Sequence, residues 1–212
     1  MTGTTNMTDG AAGTPEPGVS ALERLADLLS EQGGLMATLL VGVASANGAR
    51  DASTRSVATP DGSAQTAVAE GPAQIAAAGP RARRAPAEYE LLVEAIYEGY
   101  LLHNGSPRLL DPPEADLGLL AGDRLYALGL ARLVELGDVE AVAELADTIT
   151  LSALAQASGD EDLAGAVWVA GARAVGWGSS PQHRHAKELT LAGSPEAIEA
   201  MRTSAGGVAA PR

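Results

Sequence analysis

The chain contains no phenylalanine, and aromatic residues make up only 3% of its 212 positions. Apolar residues still reach 46%, so a core must be assembled from Leu, Val, Ile and Ala. Side chains of that size fill space only when backbones come close together. Helices packed through small residues satisfy that demand.

The periodicity agrees. Ser20 followed by Glu23 reads as a capping box, and Leu22, Leu25, Leu28 and Leu29 continue at helical spacing to about residue 32. Gly33-Gly34 breaks this helix, and the very apolar "GLMATLLVGVASA" (34–46) predicts a second one. Thirteen residues are too few to span a bilayer, which needs about 20. From 86 onward the helical signal is strong. Pro86 suits a first helical position, apolar residues recur at 91, 92, 95, 96, 100, 101 and 102, and Asn104-Gly105 ends the run. Pro112-Pro113 keeps the following loop extended. A helix from about 114 to 136 stops at Gly137. Asp138 caps the next, to about 157, and Asp160 caps another, ending near Gly176. "PQHRHAKELTL" and "SPEAIEAMR" give two weaker helical turns. No segment alternates with period two. The predicted fold class is therefore all-α, an antiparallel helical bundle.

The organisation expected is a disordered tail over 1–18, an apolar helical segment over 19–46, a flexible linker over 47–85, a helical domain over 86–203 and a frayed tail over 204–212. The linker assignment rests on "NGARDASTRSVATPDGSAQTAVAEGPAQIAAAGPRARRA", which lacks Leu and is rich in Gly and Pro.

Charge and composition narrow the functions. The formal net charge is −13, from 27 acids against 14 bases. A nucleic-acid binder or a protein attracted to an anionic membrane needs the opposite sign. Lys187 is the only lysine, the other bases being arginine. No cysteine is present, which removes disulfides, thiolate nucleophiles and cysteine-held metals. The first residues show neither a basic nor an apolar signal region, and a cytoplasmic location is the expectation.

The candidate site residues are few. "DLGLLAGDRLYALGLARLVELGD" (116–138) places Asp123 within an apolar stripe of Leu119, Leu120, Tyr126, Ala127 and Leu130, while Gly118, Ala121, Gly122 and Gly129 allow a neighbouring helix to approach. A carboxylate in such a seam should be hydrogen-bonded. A structural bond is the expectation for Asp123, with a metal or substrate role and a solvated edge as alternatives. His103 lies where a helix C-terminus favours a cation. His183 and His185 do not share a helix face, and no third ligand stands nearby. Asp160, Glu161 and Asp162 read as helix-start acids. Trp168 and Trp177, nine apart, fall on nearly opposite sides of one helix, one inward and one at an edge.

The passage "EAIYEGYLLHNG" followed by "DLGLLAGDRLYALGLARLVELGDVEAVAELADTIT" resembles the middle of the trans-polyprenyl diphosphate synthases. There a helix with a His near its end leads to an aspartate-rich motif, and a helix bearing a similar Ala-Gly-Asp follows. Leu120, Ala121, Gly122, Asp123 and Leu125 match that helix, and the resemblance covers roughly 65 residues, 94–158. The family binds diphosphate through magnesium held by clustered aspartates. Here "LLHNGSPRLLDPPEAD" stands at the first motif, with no Asp pair, and no second motif follows. Arg108 is the only arginine near that loop. The resemblance thus implies a non-catalytic relative, a partner or regulatory subunit of an isoprenoid-pathway enzyme, with no cofactor of its own. Its partner would be a protein, or a second copy, met through Gly/Ala-rich helix faces. Two alternatives stand beside it. One is an unrelated helical adaptor. The other is a prenyltransferase holding magnesium through Asp111, Glu114 and Asp116.

Overall fold

The computed structural model describes residues 20–41 and 71–206. Nine α-helices are found there: α1 Ala21–Gln32, α2 Gly34–Leu39, α3 Pro72–Ala77, α4 Pro86–Asn104, α5 Ala115–Glu135, α6 Val139–Ala157, α7 Glu161–Trp177, α8 Pro181–Leu191 and α9 Ala197–Ser204. A short 3₁₀ turn, Ala82–Arg84, precedes α4. No strand forms among the described residues, and the fold is all-α. Among them no helix is long and apolar enough to cross a membrane.

The helix starts follow the sequence signals. Ser20 and Glu23 form the expected capping box: the Glu23 amide donates to Ser20 Oγ, and the Ser20 amide to Glu23 Oε2 at 2.8 Å. Asp138 accepts from the Ala141 amide and Asp160 from the Leu163 amide. Gly105 ends α4 in the left-handed region, at φ 85°.

α4 is the axis of the bundle. Leu92, Val93, Ile96 and Tyr100 enter a core shared with α3, α6, α7, α8 and α9, while Leu91, Ala95 and Leu102 enter a second core with α1, α2 and α5. A helix with two such faces is buried nearly all round, which is why its apolar residues show no single stripe. α5 runs antiparallel along it through the predicted glycine seam. A Cβ on Gly122 would lie 2.3 Å from the His103 ring, and one on Gly129 would lie 2.4 Å from Ile96 Cγ1 and 2.8 Å from the Leu92 carbonyl oxygen.

Four expectations need correction. The second helix is shorter than 34–46: α2 ends at Leu39. The chain then extends, with the Val41 amide donating to the Leu109 carbonyl and the Asp111 amide to the Leu39 carbonyl; residues 42–46 lie outside the described residues. The linker does not reach 85. Ala73, Ile75, Ala76 and Ala82 are core residues, and Gly79 meets Gly176 of α7 so closely that a Cβ on it would fall 2.2 Å from the Gly176 carbonyl oxygen. The segment lacks bulky side chains because it packs by backbone approach. The helical unit takes in α1 as well, since α1 packs on α4. Finally, Ser204 closes α9 and Ala205 is buried, so the C-terminal tail does not begin at 204. The tail over 1–18, the linker over 47–70 and the last six residues lie outside the described residues.

Gly129→Ala tests the seam. Alanine gains up to about 1 kcal/mol in a helix interior, but here its methyl meets a backbone oxygen. Overpacking should prevail, with a net loss of about 1–3 kcal/mol by urea denaturation.

Candidate functional site

The structure separates the sequence candidates. Asp111, Glu114 and Asp116 are all exposed, Glu114 standing at the N-cap of α5 and Asp116 in its first turn. Among the described residues no group of three His, Cys, Asp or Glu is placed to hold a metal. Asp123 is not in the seam. Its side chain is 69% exposed and lies 3.4 Å from His103 Nε2. The buried face of α5 is Gly118, Ala121, Gly122, Leu125, Gly129 and Leu133, while Leu119 and Leu120 point to solvent. The solvated edge is the alternative that holds for Asp123, and a pair so exposed is worth about 1 kcal/mol or less. His103 closes α4, its ring 5.1 Å from Tyr126 and its Nε2 3.2 Å from the Leu119 carbonyl oxygen.

The strongest polar construction lies further toward the start of α4 and was not anticipated from the sequence. Glu94 and Glu98, one turn apart on α4, are 4% and 0% exposed. Glu98 Oε1 accepts from the backbone amides of Arg108 and Leu109, both at 2.7 Å, and Oε2 from Arg108 Nε at 3.1 Å. Glu94 takes Arg108 Nη2 at 2.7 Å. The guanidinium also sits 5.1 Å from the centre of the Tyr97 ring. Buried carboxylates demand such partners. Burial pushes the Glu94 carboxyl above its ordinary range, against the pull of Arg108. The signal that could have revealed this cluster is two acids inside a run apolar on every side, with one arginine in the loop beyond.

Arg108 borders an open cavity of about 630 Å³ between α3, α4, α6 and α7. Tyr97, Tyr100 and Trp168 line it, with ring centres 4.9–5.8 Å apart. Asn104, Gln156 and Glu161 supply polar groups to the same wall. Half of the chain's six aromatic residues therefore gather at one place, and Trp168 is the inward tryptophan. Trp177 is the edge one, half-buried with the Arg173 guanidinium 3.8 Å from its ring centre.

A second polar cluster ties α6 to α8. Lys187 Nζ donates to Glu144 at 3.0 Å and to Asp147 at 2.6 Å. His183 Nε2 lies 3.3 Å from Glu144 Oε2, and its Nδ1 is 3.2 Å from Ser204 Oγ. Burial opposes charge on Glu144, yet His183 and Lys187 outweigh it and hold its pKa at about 2. Ser204 donates to the Met201 carbonyl inside the last turn of α9. The cluster thus reads as a clamp between helices. His185 is exposed.

No protein-family model matches this chain, and no curated protein and no solved structure matches it.

Arg108→Met should lower stability by about 3–5 kcal/mol in chemical denaturation, because it leaves two buried carboxylates without their cation. Glu94 adds a pH signature. Its folded pKa is raised, so protonation favours the fold, and the variant should regain stability as the pH falls. Glu144 has the opposite sign. Its folded pKa is depressed, so its contribution is present above 4.5 and is lost as the pH falls toward 2. Glu144→Gln should flatten that acid limb in thermal melts taken across the window.

Proposed function

We propose that this chain is a non-catalytic helical subunit that acts by binding a protein partner. The resemblance over residues 94–158 points to a synthase of the isoprenoid pathway as that partner. One observation carries the reading. Leu35 of α2 and Leu120 of α5 are 54% and 64% exposed, and together with Met36 and Ala121 they border a pocket of about 320 Å³. Isolated exposed leucines are ordinary, but leucines from two helices on one pocket suit a partner's apolar side chain. This edge belongs to α5, the helix that carries the resemblance.

The test is co-purification. Tagged protein is recovered from the lysate of its source, and the eluate is assayed for prenyl elongation with magnesium and isopentenyl diphosphate. Elongation should accompany the wild-type chain and be absent from the purified chain alone. Leu120→Asp, which places a charge on the apolar edge, should reduce the recovered activity about tenfold or more, the scale of a lost apolar anchor. A partner recovered without elongation would replace this reading with the adaptor. Turnover by the purified chain would replace it with the enzyme.

A further inference from the structure

One half-buried arginine lacks the partner that the others have. Arg24, Arg81, Arg132 and Arg173 are the half-buried arginines among the described residues. Arg24 pairs with Glu90, Arg81 with Asp138 and Glu140, and Arg132 with Glu88. Arg173 has no carboxylate and no hydrogen-bond acceptor among the described residues. Its contact is with Trp177, four residues further along α7, whose ring centre lies 3.8 Å from the guanidinium carbon. Residues four apart share a helix face, so α7 alone sets this pair. The ring attracts the charge, but it is no anion, and the N–H donors of the guanidinium remain for an acceptor.

Arg173 and Trp177 border an open cavity of about 270 Å³ between the end of α7, the start of α8 and the end of α9. Ser180, His183 and Ser204 also line it, and no Asp or Glu does. Ser180 Oγ accepts from the His183 amide at 3.0 Å, and its O–H remains as a donor. Ser204 is committed, since it donates to the Met201 carbonyl and lies 3.2 Å from His183 Nδ1. His183 is 4% exposed, with its other nitrogen toward Glu144, so it backs the wall and does not reach a ligand. The side chains that can are Arg173, Trp177 and Ser180, all partly open to solvent.

These three select for charge. An organic cation would meet Arg173 with no carboxylate on the wall to offset it. An apolar ligand would take the guanidinium out of water without a partner. A neutral polar ligand would bring an acceptor but no charge, and hydrogen bonds between charged groups are roughly twice as strong as neutral ones. An oxyanion suits the arginine fork in bidentate form, and the Ser180 O–H offers a further donor on the same wall. The net charge of −13 opposes anions at long range, but physiological salt screens such fields beyond about 8 Å. The cavity stands at the lower edge of the ordinary range for ligand sites, about 300–1,000 Å³, so the ligand is small.

We propose that the cavity between α7, α8 and α9 binds a small oxyanion, a carboxylate or a phosphate, held by Arg173 with Ser180 as a second donor. The probes are acetate and inorganic phosphate, titrated into the full isotope-labelled chain, with chloride at matched ionic strength as the comparison. The chain has two tryptophans, so two indole N–H signals appear in its NMR spectrum, and a Trp177→Phe spectrum assigns them. Acetate or phosphate should move the Trp177 signal to saturation at about millimolar concentration and leave the Trp168 signal in place. The anion that saturates at the lower concentration separates carboxylate from phosphate. Arg173→Gln should abolish the saturation. Arg173→Lys keeps the charge but not the fork and should weaken binding about tenfold. Arg184→Gln, at an exposed arginine outside the cavity, should bind as the parent does. If Arg173→Gln lowers the thermal melt, Arg173→Lys decides. The proposal is overturned if neither anion saturates, if chloride shifts the signal equally, if Trp168 responds in place of Trp177, or if the Arg173 variants bind as the parent does.

Discussion

A buried carboxylate anchors the loop between α4 and α5 from within α4. Glu98 has no solvent exposure and accepts three hydrogen bonds, two from the backbone amides of Arg108 and Leu109 and one from the Arg108 side chain. That attachment fixes where 108–111 runs, and much depends on the position of that strip. The Leu109 carbonyl and the Asp111 amide receive residues 39–41, which bring α1 and α2 onto the second core. The Arg108 side chain, turned the other way, reaches Glu94 and forms part of the cavity wall. One acid thus coordinates both sides of the molecule. A pair of well-packed apolar residues could hold the same helices as firmly. What the charged cluster adds is direction, since an arginine fork meets two carboxylates in only a few orientations.

α4 can hold this position because the chain spends its small residues on closeness. The α4–α5 contact is made over Gly99, Gly122 and Gly129, and α6 meets α7 where Thr148 lies against Gly171. With no phenylalanine available, such approaches replace the volume that aromatic side chains would fill. The few aromatic residues are then free to gather. Tyr97, Tyr100 and Trp168 meet between α4 and α7, beside α3.

This economy explains what the sequence disclosed and what it hid. The caps were legible because each is a local hydrogen bond, as at Ser20, Asp138 and Asp160. The glycine seam on α5 was legible as well, from Gly118, Gly122 and Gly129. The error at Asp123 came from the same helix. A hydropathy stripe weighs leucines and gives glycine almost nothing, so Leu119 and Leu120 drew the face toward solvent. Asp123 follows Gly122 by one residue, about 100° round the helix, and leaves the seam. α3 escaped notice for a related reason: Ile75 is its only large apolar side chain, and its burial comes from Ala73, Ala76 and the contact of Gly79 with Gly176. Glu94 and Glu98 were hidden because their partner lies across a turn, a non-local pairing that spacing along the chain does not announce.

The resemblance to the polyprenyl diphosphate synthases can be weighed against the same geometry. Its Ala-Gly-Asp signature falls on the α4–α5 seam: Ala121 and Gly122 are buried there, and Asp123 stands beside His103 at the edge. Packing alone accounts for the first two residues, because a larger side chain at 122 would meet the His103 ring. Leu35 on α2 and Leu120 on α5 enter neither core, so packing does not account for their presence. Covering them with a partner's apolar side chains would remove that surface from water, which the fold by itself leaves exposed.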